Sequence, residues 1–277
     1  MEKTIISQIA GGLGNQLFQY AFARKLAIET GASLLLDVSF YKLNLKPKRH
    51  FELDRFSIHV EILADKHLDK LPDEIFCLDE AHSLFYEEID INRLEFPLYI
   101  TGYRQSWKYF NTVENQLKAE LRFETATFSE KMMELGNKLS NTLSVGIHIR
   151  RTDYGIAINH YLGILPNKYY DLAVKYFKQI SDKFRFYIFS DDPEWAEVEL
   201  ELPAPFQVMK GNTGFEDFYL MSQCQNNIIA NSSYSWWAAW LNPNPSKIVV
   251  VPGLWETGNN LDVKQTDLIP PEWVCIW

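Results

Sequence analysis

Residues 4–38 read TIISQIAGGLGNQLFQYAFARKLAIETGASLLLDV, and this stretch sets the class of fold. A largely apolar run at 4–9 is followed by glycines at 11–14, a helical pattern at 17–30 and a second apolar run at 33–38. Two apolar runs around a glycine turn and a helix are typical of a βαβ unit, in which a crossover helix joins two parallel strands. The sequence therefore predicts an α/β fold that begins with such a unit.

A second βαβ start lies in the middle of the chain. Residues 143–149 form a β-branched run that ends in a charged turn, a helical pattern follows at 166–181, and a strand pattern follows at 184–189. Further predicted elements alternate along the rest of the chain: strands at 206–209, 227–230 and 247–251, and helices at 217–223 and 235–240. Strands that alternate with helices favour a parallel, doubly wound sheet.

The presence of two separate βαβ patterns predicts two domains. The region from about residue 42 to 141 is less regular and richer in charges and prolines, and it separates the two βαβ patterns. We therefore place a boundary near residue 141 and predict an N-terminal domain at 1–141 and a C-terminal domain at 142–277. A chain of 277 residues with 47% hydrophobic residues is long enough to bury two modest cores.

Composition excludes some classes of protein. The net charge of -9 argues against a nucleic-acid-binding protein with a broad basic face, because phosphate neutralisation needs clustered lysine and arginine. Cys77, Cys224 and Cys275 are far apart and predict neither a disulfide framework nor a zinc site. No apolar run reaches the roughly 18 residues of a spanning helix, and the N-terminus lacks a signal-peptide pattern. We expect a soluble cytoplasmic protein, with peripheral membrane contact left open.

The glycine-rich turn at residues 11–17, GGLGNQL, imitates a dinucleotide-binding fingerprint, since it follows a strand and Asp37 ends the next one. The third glycine of that fingerprint is replaced by Leu17. Asn15 and Gln16 instead place amide groups at the helix start, where donors can meet hydroxyls or a phosphate. An ordinary glycine turn between strand and helix remains the alternative.

The motif HIRRTD at residues 148–153 follows a predicted strand at the end where open α/β sheets bind ligands. Side chains alternate along an extended chain, so His148 and Arg150 are expected to point one way and Arg151 the other. Arg150 can then bind a diphosphate with two hydrogen bonds, while Arg151 pairs with Asp153 or another acid. A surface cluster of salt bridges remains the alternative.

Two further motifs follow predicted strands. In FSDDP at residues 189–193, one carboxylate can cap the next helix, and the other can accept hydrogen bonds from the two donors on a guanine edge. In NSSYSWW at residues 231–237, hydroxyls and free N–H groups at a helix start suit a phosphate. The alternative there is a plain helix cap, with Trp236 and Trp237 packed in the core, and for these two residues it is the preferred one.

Absent motifs narrow the choice of function. The sequence has no phosphate-binding loop of P-loop NTPases, no Gly-x-Ser-x-Gly elbow and no His-Glu-x-x-His, which disfavours those three enzyme classes. It also has no Asp-x-Asp triplet, so a metal held by such a pair to neutralise a nucleotide diphosphate is not indicated. Arg150 is then the expected counter-charge.

Together, GGLGNQLFQYAFARKLA at 11–27, HIRRTDY at 148–154, FSDDPEW at 189–195 and NSSYSWWAAWL at 231–241 resemble the α-1,2-fucosyltransferases of glycosyltransferase family 11. The resemblance implies an α/β fold of GT-B architecture, with two Rossmann-like domains whose parallel sheets face each other across a cleft. It places the GDP-sugar on the C-terminal domain and the acceptor on the N-terminal one. It also implies inversion at the anomeric carbon, with no metal and no other cofactor.

The resemblance also assigns roles to single residues of the C-terminal motifs. Arg150 corresponds to the arginine that grips the diphosphate, and His148 and Asp192 correspond to the guanosine-binding pair. Ser232 and Ser233 correspond to ligands of the β-phosphate. These assignments are predictions from the family likeness.

For the N-terminal domain, the resemblance implies that Gly14 and Asn15 approach the donor. Asp153 is a candidate base because it lies close to the arginine motif, and pairing with Arg151 is an equally open role for it. The expected substrates are GDP-fucose and a galactose-terminated oligosaccharide, whose 2-hydroxyl receives L-fucose. Two alternatives are an NAD(P)-dependent oxidoreductase that uses the N-terminal glycine turn, and a non-catalytic sugar-binding protein suggested by the tryptophan and tyrosine content.

Overall fold

The computed structural model describes residues 3–43, 48–69, 71–80, 84–152, 162–256 and 261–277. The chain divides into two compact units. The first comprises Met1–Glu124 and Thr266–Ile269, and the second comprises Thr125–Gln265 and Pro270–Trp277. The chain thus leaves the first unit at Glu124, whereas the predicted boundary lay near residue 141.

The first unit is built on a parallel sheet with the strand order β3-β2-β1-β5-β4. Its described strands and α-helices are β1 (Thr4–Gln8), α1 (Leu13–Thr30), β2 (Ser33–Asp37), β3 (Glu61–Ile62), α2 (Asp65–Leu68), β4 (Phe76–Leu78), β5 (Leu98–Ile100) and α3 (Glu114–Glu120). The predicted opening βαβ unit is therefore present. The region that looked irregular in sequence supplies β3, β4 and β5, strands too short to show a periodic pattern.

Helix α1 begins at Leu13, earlier than the predicted start at residue 17, and ends at Gly31, whose φ of 67° only glycine adopts readily. Its buried residues run continuously from Gln16 to Ala23, so this part of the helix is covered on all sides. The reason is that α1 contacts β1 and β2 and also three 3-10 helices from the region between residues 42 and 141.

A short segment near the C-terminus completes the first unit. In Thr266–Ile269, the backbone N–H of Asp267 donates to the carbonyl of Leu84 at 2.9 Å, and its carbonyl accepts the Ser106 hydroxyl at 2.7 Å. The Asp267 carboxylate also accepts the backbone N–H of Tyr86 at 2.9 Å. These bonds explain why a segment distant in sequence belongs to this unit.

The second unit contains a parallel sheet of six strands, in the order β8-β7-β6-β9-β10-β13. When only the six strands of this sheet are counted, this is the 3-2-1-4-5-6 order of doubly wound nucleotide-binding folds. Its elements are α4 (Glu130–Ser140), β6 (Ser144–Ile149), α5 (Asn167–Ile180), β7 (Arg185–Ser190), α6 (Pro193–Val198), β8 (Phe206–Val208), α7 (Gly214–Gln223), β9 (Asn226–Ile228), α8 (Ser233–Trp240), β10 (Val249–Pro252), β11 (Leu254–Glu256), β12 (Leu261–Asp262) and β13 (Val274–Ile276).

Packing explains both the central place of β6 and the position of the boundary. Every residue of β6 is buried, as expected for a parallel strand covered on both faces. Helix α4 packs on α7 so closely that a Cβ added to Gly136 would lie 2.7 Å from the Tyr219 hydroxyl. The helix before the predicted boundary therefore belongs to the second core. Among the described residues, no helix has the length and apolarity needed to cross a membrane.

Candidate active site

Three of the predicted motifs meet at the carboxyl edge of the second sheet. Strands β6, β7 and β9 lie side by side and parallel, and each runs directly into one of the motifs HIRR, SDD and NSS. Between β6 and β9 the strand order reverses, which makes the switch point where open α/β sheets bind ligands. The fold thus brings together residues that are up to about 80 positions apart in the chain.

Arg150 and Asp191 form an ion pair at this edge, with Arg150 Nε 3.2 Å from Asp191 Oδ2. The same carboxylate accepts the backbone N–H groups of Arg151 at 2.9 Å and Thr152 at 3.2 Å, and the Thr152 hydroxyl at 2.6 Å. Asp191 therefore holds the turn after β6 and fixes the direction in which Arg150 leaves the strand. Because Ile149 pairs with Ser190 in the register of β6 and β7, Asp191 lies opposite Arg150. Sequence analysis gave Asp191 and Asp192 the roles of helix cap and guanine acceptor, and it did not predict the ion pair with Arg150, which depends on this register.

Arg151 faces a different pair of residues. Its Nε lies 3.7 Å from Asp192 Oδ2, and its guanidinium carbon lies 3.6 Å from the centre of the Trp195 ring, a cation–π arrangement. Asp192 Oδ1 accepts the backbone N–H of Trp195 at 3.2 Å and caps α6. The acid that pairs with Arg151 in the described part of the chain is thus Asp192, while Asp153 lies outside the described residues. A role for Asp192 in binding guanosine stays a prediction.

His148 lies in β6 and is buried, with 3% of its surface exposed. Its ring centre is 5.3 Å from that of Tyr234 on α8, and Tyr234 is in turn 5.2 Å from Phe218 on α7. The Tyr234 hydroxyl donates to the carbonyl of Gly214 at the start of α7. These contacts fix the imidazole against the two helices that begin at the ligand-binding edge.

Ser232 and Ser233 occupy the start of α8, at the switch point. Ser232 is the N-cap residue, and α8 begins there without a side-chain cap among the described residues. The side-chain amide of the preceding Asn231 donates to the carbonyls of Leu162 at 2.8 Å and Trp255 at 3.0 Å, which anchors the loop. The first N–H groups of a helix and its positive dipole end form an anion-binding arrangement. The roles of the two serines as phosphate ligands stay predictions.

The two tryptophans that follow are core residues, as the preferred sequence interpretation held. Trp236 and Trp237 are both fully buried, with ring centres 5.2 Å apart. Trp236 also stacks on Trp240 at 6.5 Å. They hold α8 in place and do not offer a surface to a sugar.

Asp217, in the first turn of α7, is a carboxylate to which sequence analysis gave no role. Its Oδ1 accepts the side-chain amide of Asn212 at 2.8 Å. Burial raises its pKa to about 6. The signal in the sequence is an acid between the apolar Phe215 and Phe218, both of which are buried.

In the first unit, Gly14 and Asn15 lie in the first turn of α1, directly after the glycine loop. Gly14 is buried, whereas Asn15 is half-buried. The side-chain oxygen of Asn15 accepts a hydrogen bond of 2.7 Å from the amide of Gln105, which follows β5. Their contact with a donor stays a prediction.

The side chain of Gln16, whose amide was predicted to meet hydroxyls or a phosphate at the helix start, makes its hydrogen bonds within the protein. It is fully buried, and its amide donates to the carbonyl of His50 at 2.8 Å while its oxygen accepts the backbone N–H of Glu52 at 2.9 Å. Both ends of this side chain therefore tie residues 50–52 to α1. Of the predicted amide pair, only Asn15 is partly exposed at the loop.

Asp37, on which the oxidoreductase alternative rested, is engaged within the first unit. One of its carboxylate oxygens accepts the Tyr99 hydroxyl at 2.6 Å, and the other accepts the backbone N–H of Ser39 at 2.9 Å. Burial acts to raise the pKa of this carboxyl, but the hydrogen bonds from Tyr99 and Ser39 outweigh it and lower the pKa below its usual value. Its two bonds give it a structural role at the end of β2.

Known proteins resemble this chain in sequence and in fold. The sequence model described as "Glycosyl transferase family 11" matches residues 49–277. An alpha-1,2-colitosyltransferase of Escherichia coli is 30% identical, over 98% of this chain and 98% of that protein. Galactoside alpha-(1,2)-fucosyltransferase 2 of Oryctolagus cuniculus is 24% identical, over 96% of this chain and 75% of that protein.

The solved structures include NodZ alpha-1,6-fucosyltransferase soaked with GDP-fucose, which matches with a TM-score of 0.58 at 16% identity and covers 89% of this chain and 97% of that one. This likeness shows the fold, which is GT-B with two parallel α/β sheets. Neither the oxidoreductase nor the sugar-binding alternative is favoured by these matches. The protein is a glycosyltransferase, and the chain belongs to glycosyltransferase family 11.

Proposed function

We propose that the protein transfers L-fucose from GDP-fucose to the 2-hydroxyl of a terminal β-galactoside, with inversion and without a metal. The observation that carries the proposal is the edge of the second sheet, where Arg150 is held by Asp191 beside the start of α8. The rabbit relative is named for the galactoside α-1,2 linkage, and the NodZ structure is named for GDP-fucose. Both names support the donor and the linkage proposed for this chain.

The donor diphosphate is the ligand that this edge suits best. An arginine guanidinium binds phosphate oxygens with paired, charge-assisted hydrogen bonds, and the start of α8 adds backbone donors and a positive dipole end. We assign the diphosphate to Arg150, Ser232 and Ser233, and the guanine to His148 and Asp192. Asp192 can take that role while it caps α6, because each carboxylate oxygen accepts more than one hydrogen bond.

The chemistry follows from charge and geometry. The bond between the fucose anomeric carbon and the β-phosphate oxygen breaks, which leaves positive charge on the sugar and negative charge on GDP. A fixed arginine and helix-start donors stabilise that departing charge. The acceptor 2-hydroxyl oxygen forms the new bond from the opposite face and loses its proton to a base. Asp153, three positions after Arg150 in the sequence, remains the candidate base.

Metal independence is part of the proposal. Among the described residues, no group of three or more histidine, cysteine, aspartate and glutamate side chains is placed to hold a metal ion. The diphosphate charge is then balanced by Arg150 and the start of α8. EDTA is expected to leave the rate unchanged, and a large loss restored by Mn²⁺ would contradict this part.

Transfer of colitose is the second candidate, because the alpha-1,2-colitosyltransferase covers nearly the whole chain. Colitose is L-fucose without its 3-hydroxyl. A pocket that hydrogen-bonds this hydroxyl rejects a sugar that lacks it, because the buried partner group is then left without a bond. The ratio of kcat/KM for the two nucleotide sugars therefore decides between the two functions.

The test is GDP release from GDP-fucose in EDTA, with and without lactose. Lactose-dependent release, followed by product analysis that finds an α-1,2 link, would support the donor, the galactoside acceptor and the metal-free reaction together. Release that is much faster with the colitose donor would favour the second candidate. If GDP does not bind at all, the assignment of this edge to the nucleotide is wrong.

A further inference from the structure

Arg104, in the loop of residues 101–106 that follows β5, has an unusual backbone and an unusual environment. Its φ of 52° makes it the one residue other than glycine with a positive φ in the described part of the chain. Its side chain is fully buried. A bulky residue rarely adopts such a φ, and arginine is almost never fully buried unless it is paired. Both features therefore need a physical cause at this position.

The Arg104 guanidinium is bound on one side and lacks hydrogen bonds on the other. Its Nη2 donates to the carbonyl of Leu78, at the end of β4, at 3.1 Å, and its carbon lies 5.0 Å from the centre of the Phe22 ring on α1. Among the described residues, Nε and Nη1 have no hydrogen-bond partner, and the Glu87 carboxylate lies 3.9 Å from Nη1. Burying a charged group that is only partly paired costs stability.

The backbone around Arg104 is fixed as well. The two oxygens of the Glu80 carboxylate accept the backbone N–H groups of Tyr103 at 2.6 Å and Arg104 at 2.5 Å. Glu80 packs so closely on the loop that a Cβ added to Gly102 would overlap its side chain. The carbonyl of Arg104 accepts the backbone N–H of Ser106 at 2.8 Å. A strained conformation persists only where its surroundings determine it in this way.

The conformation at Arg104 sets the directions of its two neighbours, residues 103 and 105. The Tyr103 ring lies beside the glycine loop, since a Cβ added to Gly11 would be 3.5 Å from its Cε1. The Gln105 amide donates to the side-chain oxygen of Asn15 at 2.7 Å. A negative φ at Arg104 would change the path of the chain between these neighbours and move at least one of them away from the glycine loop.

We propose that Arg104 is a positioning residue for the transfer reaction. Its buried guanidinium holds the loop after β5 in the conformation that directs Tyr103 and Gln105 towards the glycine loop. This loop lies where the strand order of the first sheet reverses, and an apolar residue there would cost less to bury, so the arginine is the mark of a functional constraint. The inference rests on the proposed function, whose acceptor the family resemblance assigns to the first unit.

The test is Arg104→Met, which keeps much of the volume and removes the charge. The thermal midpoint is expected to stay within about 3 °C of the wild type or to rise, because a partly paired buried charge is lost. The Leu78 carbonyl keeps a partner, since it also accepts the backbone N–H of Thr101 at 3.2 Å. KM for lactose is expected to rise about threefold to tenfold as the loop leaves its conformation. The Kd for GDP and the slow release of GDP from GDP-fucose without lactose should stay unchanged.

Arg24→Met is the matched control, the same substitution in the same unit. Arg24 lies on α1 and donates to the Glu120 carboxylate on α3, from Nη2 at 2.6 Å and from Nε at 3.0 Å. Its loss leaves Glu120 without this partner and loosens the packing of α3, so the thermal midpoint should fall while KM for lactose stays unchanged. The two arginines should thus give opposite patterns.

Hydrogen exchange followed by mass spectrometry gives a readout that does not depend on any sugar. The backbone N–H groups of Tyr103 and Arg104, which donate to Glu80, should exchange about tenfold faster or more in Arg104→Met. Segments of the first unit outside residues 101–106 should exchange as in the wild type. A local change of this kind at an unchanged midpoint distinguishes positioning from a general role in the fold.

The outcomes separate this inference from the proposed function. A lower midpoint with an unchanged KM for lactose would assign Arg104 to the fold alone and overturn the inference, and so would unchanged exchange in residues 101–106. If Arg104→Met does not fold, Arg104→Gly decides by the same two measurements, because glycine accepts the positive φ but cannot hold it. If the wild type does not transfer fucose, faster exchange confined to residues 101–106 supports the positioning of the loop although the proposed function is wrong.

Discussion

The two parallel sheets have the same kind of edge, but the loops at the two edges carry different residues. In each, the first strand of the unit lies beside a switch point, β1 next to β5 and β6 next to β9. Around β6 the loops carry adjacent arginines and adjacent aspartates that pair across neighbouring strand ends. Around β1 the loops carry bare glycines, an exposed tyrosine and a pair of amides, and the Arg49 guanidinium lies close to Gly12.

This difference shows that the sheet supplies position and the loops supply selectivity. Two adjacent arginines repel each other, and each has a carboxylate partner, Asp191 for Arg150 and Asp192 for Arg151. Such an edge suits a charged nucleotide diphosphate. The edge at β1 and β5 carries the Arg49 guanidinium beside Gly12 and the Glu80 carboxylate bound to the backbone of Tyr103, and these are not a pair of adjacent like charges. Substitutions at the charged edge of the second unit should therefore have the larger effect on donor binding.

The largest expected effect is that of Arg150→Ala. In the proposed mechanism the Arg150 guanidinium binds the departing diphosphate, so its removal is expected to lower kcat/KM by about two to three orders of magnitude. The fold should persist, because Asp191 keeps its hydrogen bonds to Arg151 and Thr152. Initial rates with lactose, together with far-UV circular dichroism, measure both expectations.

Arg151→Ala is the control for that experiment. Arg151 packs on Trp195 and pairs with Asp192, so its loss should lower the thermal midpoint. It should lower the rate much less than Arg150→Ala does. Equal loss of rate in the two variants would remove the distinction between a diphosphate ligand and a structural arginine. A rate for Arg150→Ala close to that of the wild type would contradict the proposed role of Arg150 in the mechanism.

The next effect is that of Asp191→Asn, which tests positioning. An asparagine amide can no longer accept all four contacts of the carboxylate, so Arg150 loses its fixed direction. A hydrogen bond to a charged group contributes about 1.5–3 kcal/mol, which corresponds to a roughly 10- to 100-fold loss of kcat/KM. If Asp191 acts through Arg150, adding Asp191→Asn to Arg150→Ala should lower the rate no further. Additive losses would indicate an independent structural role.

Asp192→Asn is expected to have a smaller and more selective effect. Asparagine caps a helix as well as aspartate does, so α6 should keep its start. If Asp192 accepts from guanine, GDP should bind about tenfold more weakly, whereas inosine diphosphate, which lacks the 2-amino group, should lose less. Titration calorimetry with both nucleotides gives the ratio. If the ratio of the affinities for GDP and inosine diphosphate is unchanged, another group at this edge recognises the base.

The sequence predicted most of the second sheet because its strands are buried on both faces and read as continuous apolar runs. It placed His148, Arg150 and Ser232 at strand ends, and these positions are found at one edge of the sheet. It did not predict the role of Asp191. That role depends on the register between β6 and β7, which residues 40 positions apart do not reveal.

The first unit was harder to predict for a physical reason. Strands β3, β4 and β5 are two or three residues long, too short for a period of two to appear. The tie between Gln19 and the loop after β5, and the bond from Gln105 to Asn15, join residues about 80 to 90 positions apart. Tertiary contacts of this kind position the loops after β1 and β5, and the local sequence does not reveal them.

The smallest predicted effect concerns Asp217 and is a pH-dependent change in stability. Its pKa is raised by burial to about 6 in the folded chain, above the value near 3.8 that it has when solvated. The folded state therefore binds more protons than the unfolded state between these values, and the contribution of Asp217 to stability falls as pH rises through them. Asp217→Asn stays neutral, so it should remove this fall and stabilise the protein at pH 7.5 by on the order of 1 kcal/mol.

Thermal midpoints of the wild type and Asp217→Asn between pH 4.5 and 7.5 measure the difference, which should be small at the acid end and grow towards pH 7.5. Asp171→Asn is the control, because Asp171 forms a surface pair with Lys175 on α5. If the Asp217 variant is less stable at every pH, its carboxylate contributes a bond that asparagine cannot replace. Gln105→Ala removes no titratable group, so it should shift the midpoint equally across this range, and a pH-dependent shift would contradict this expectation.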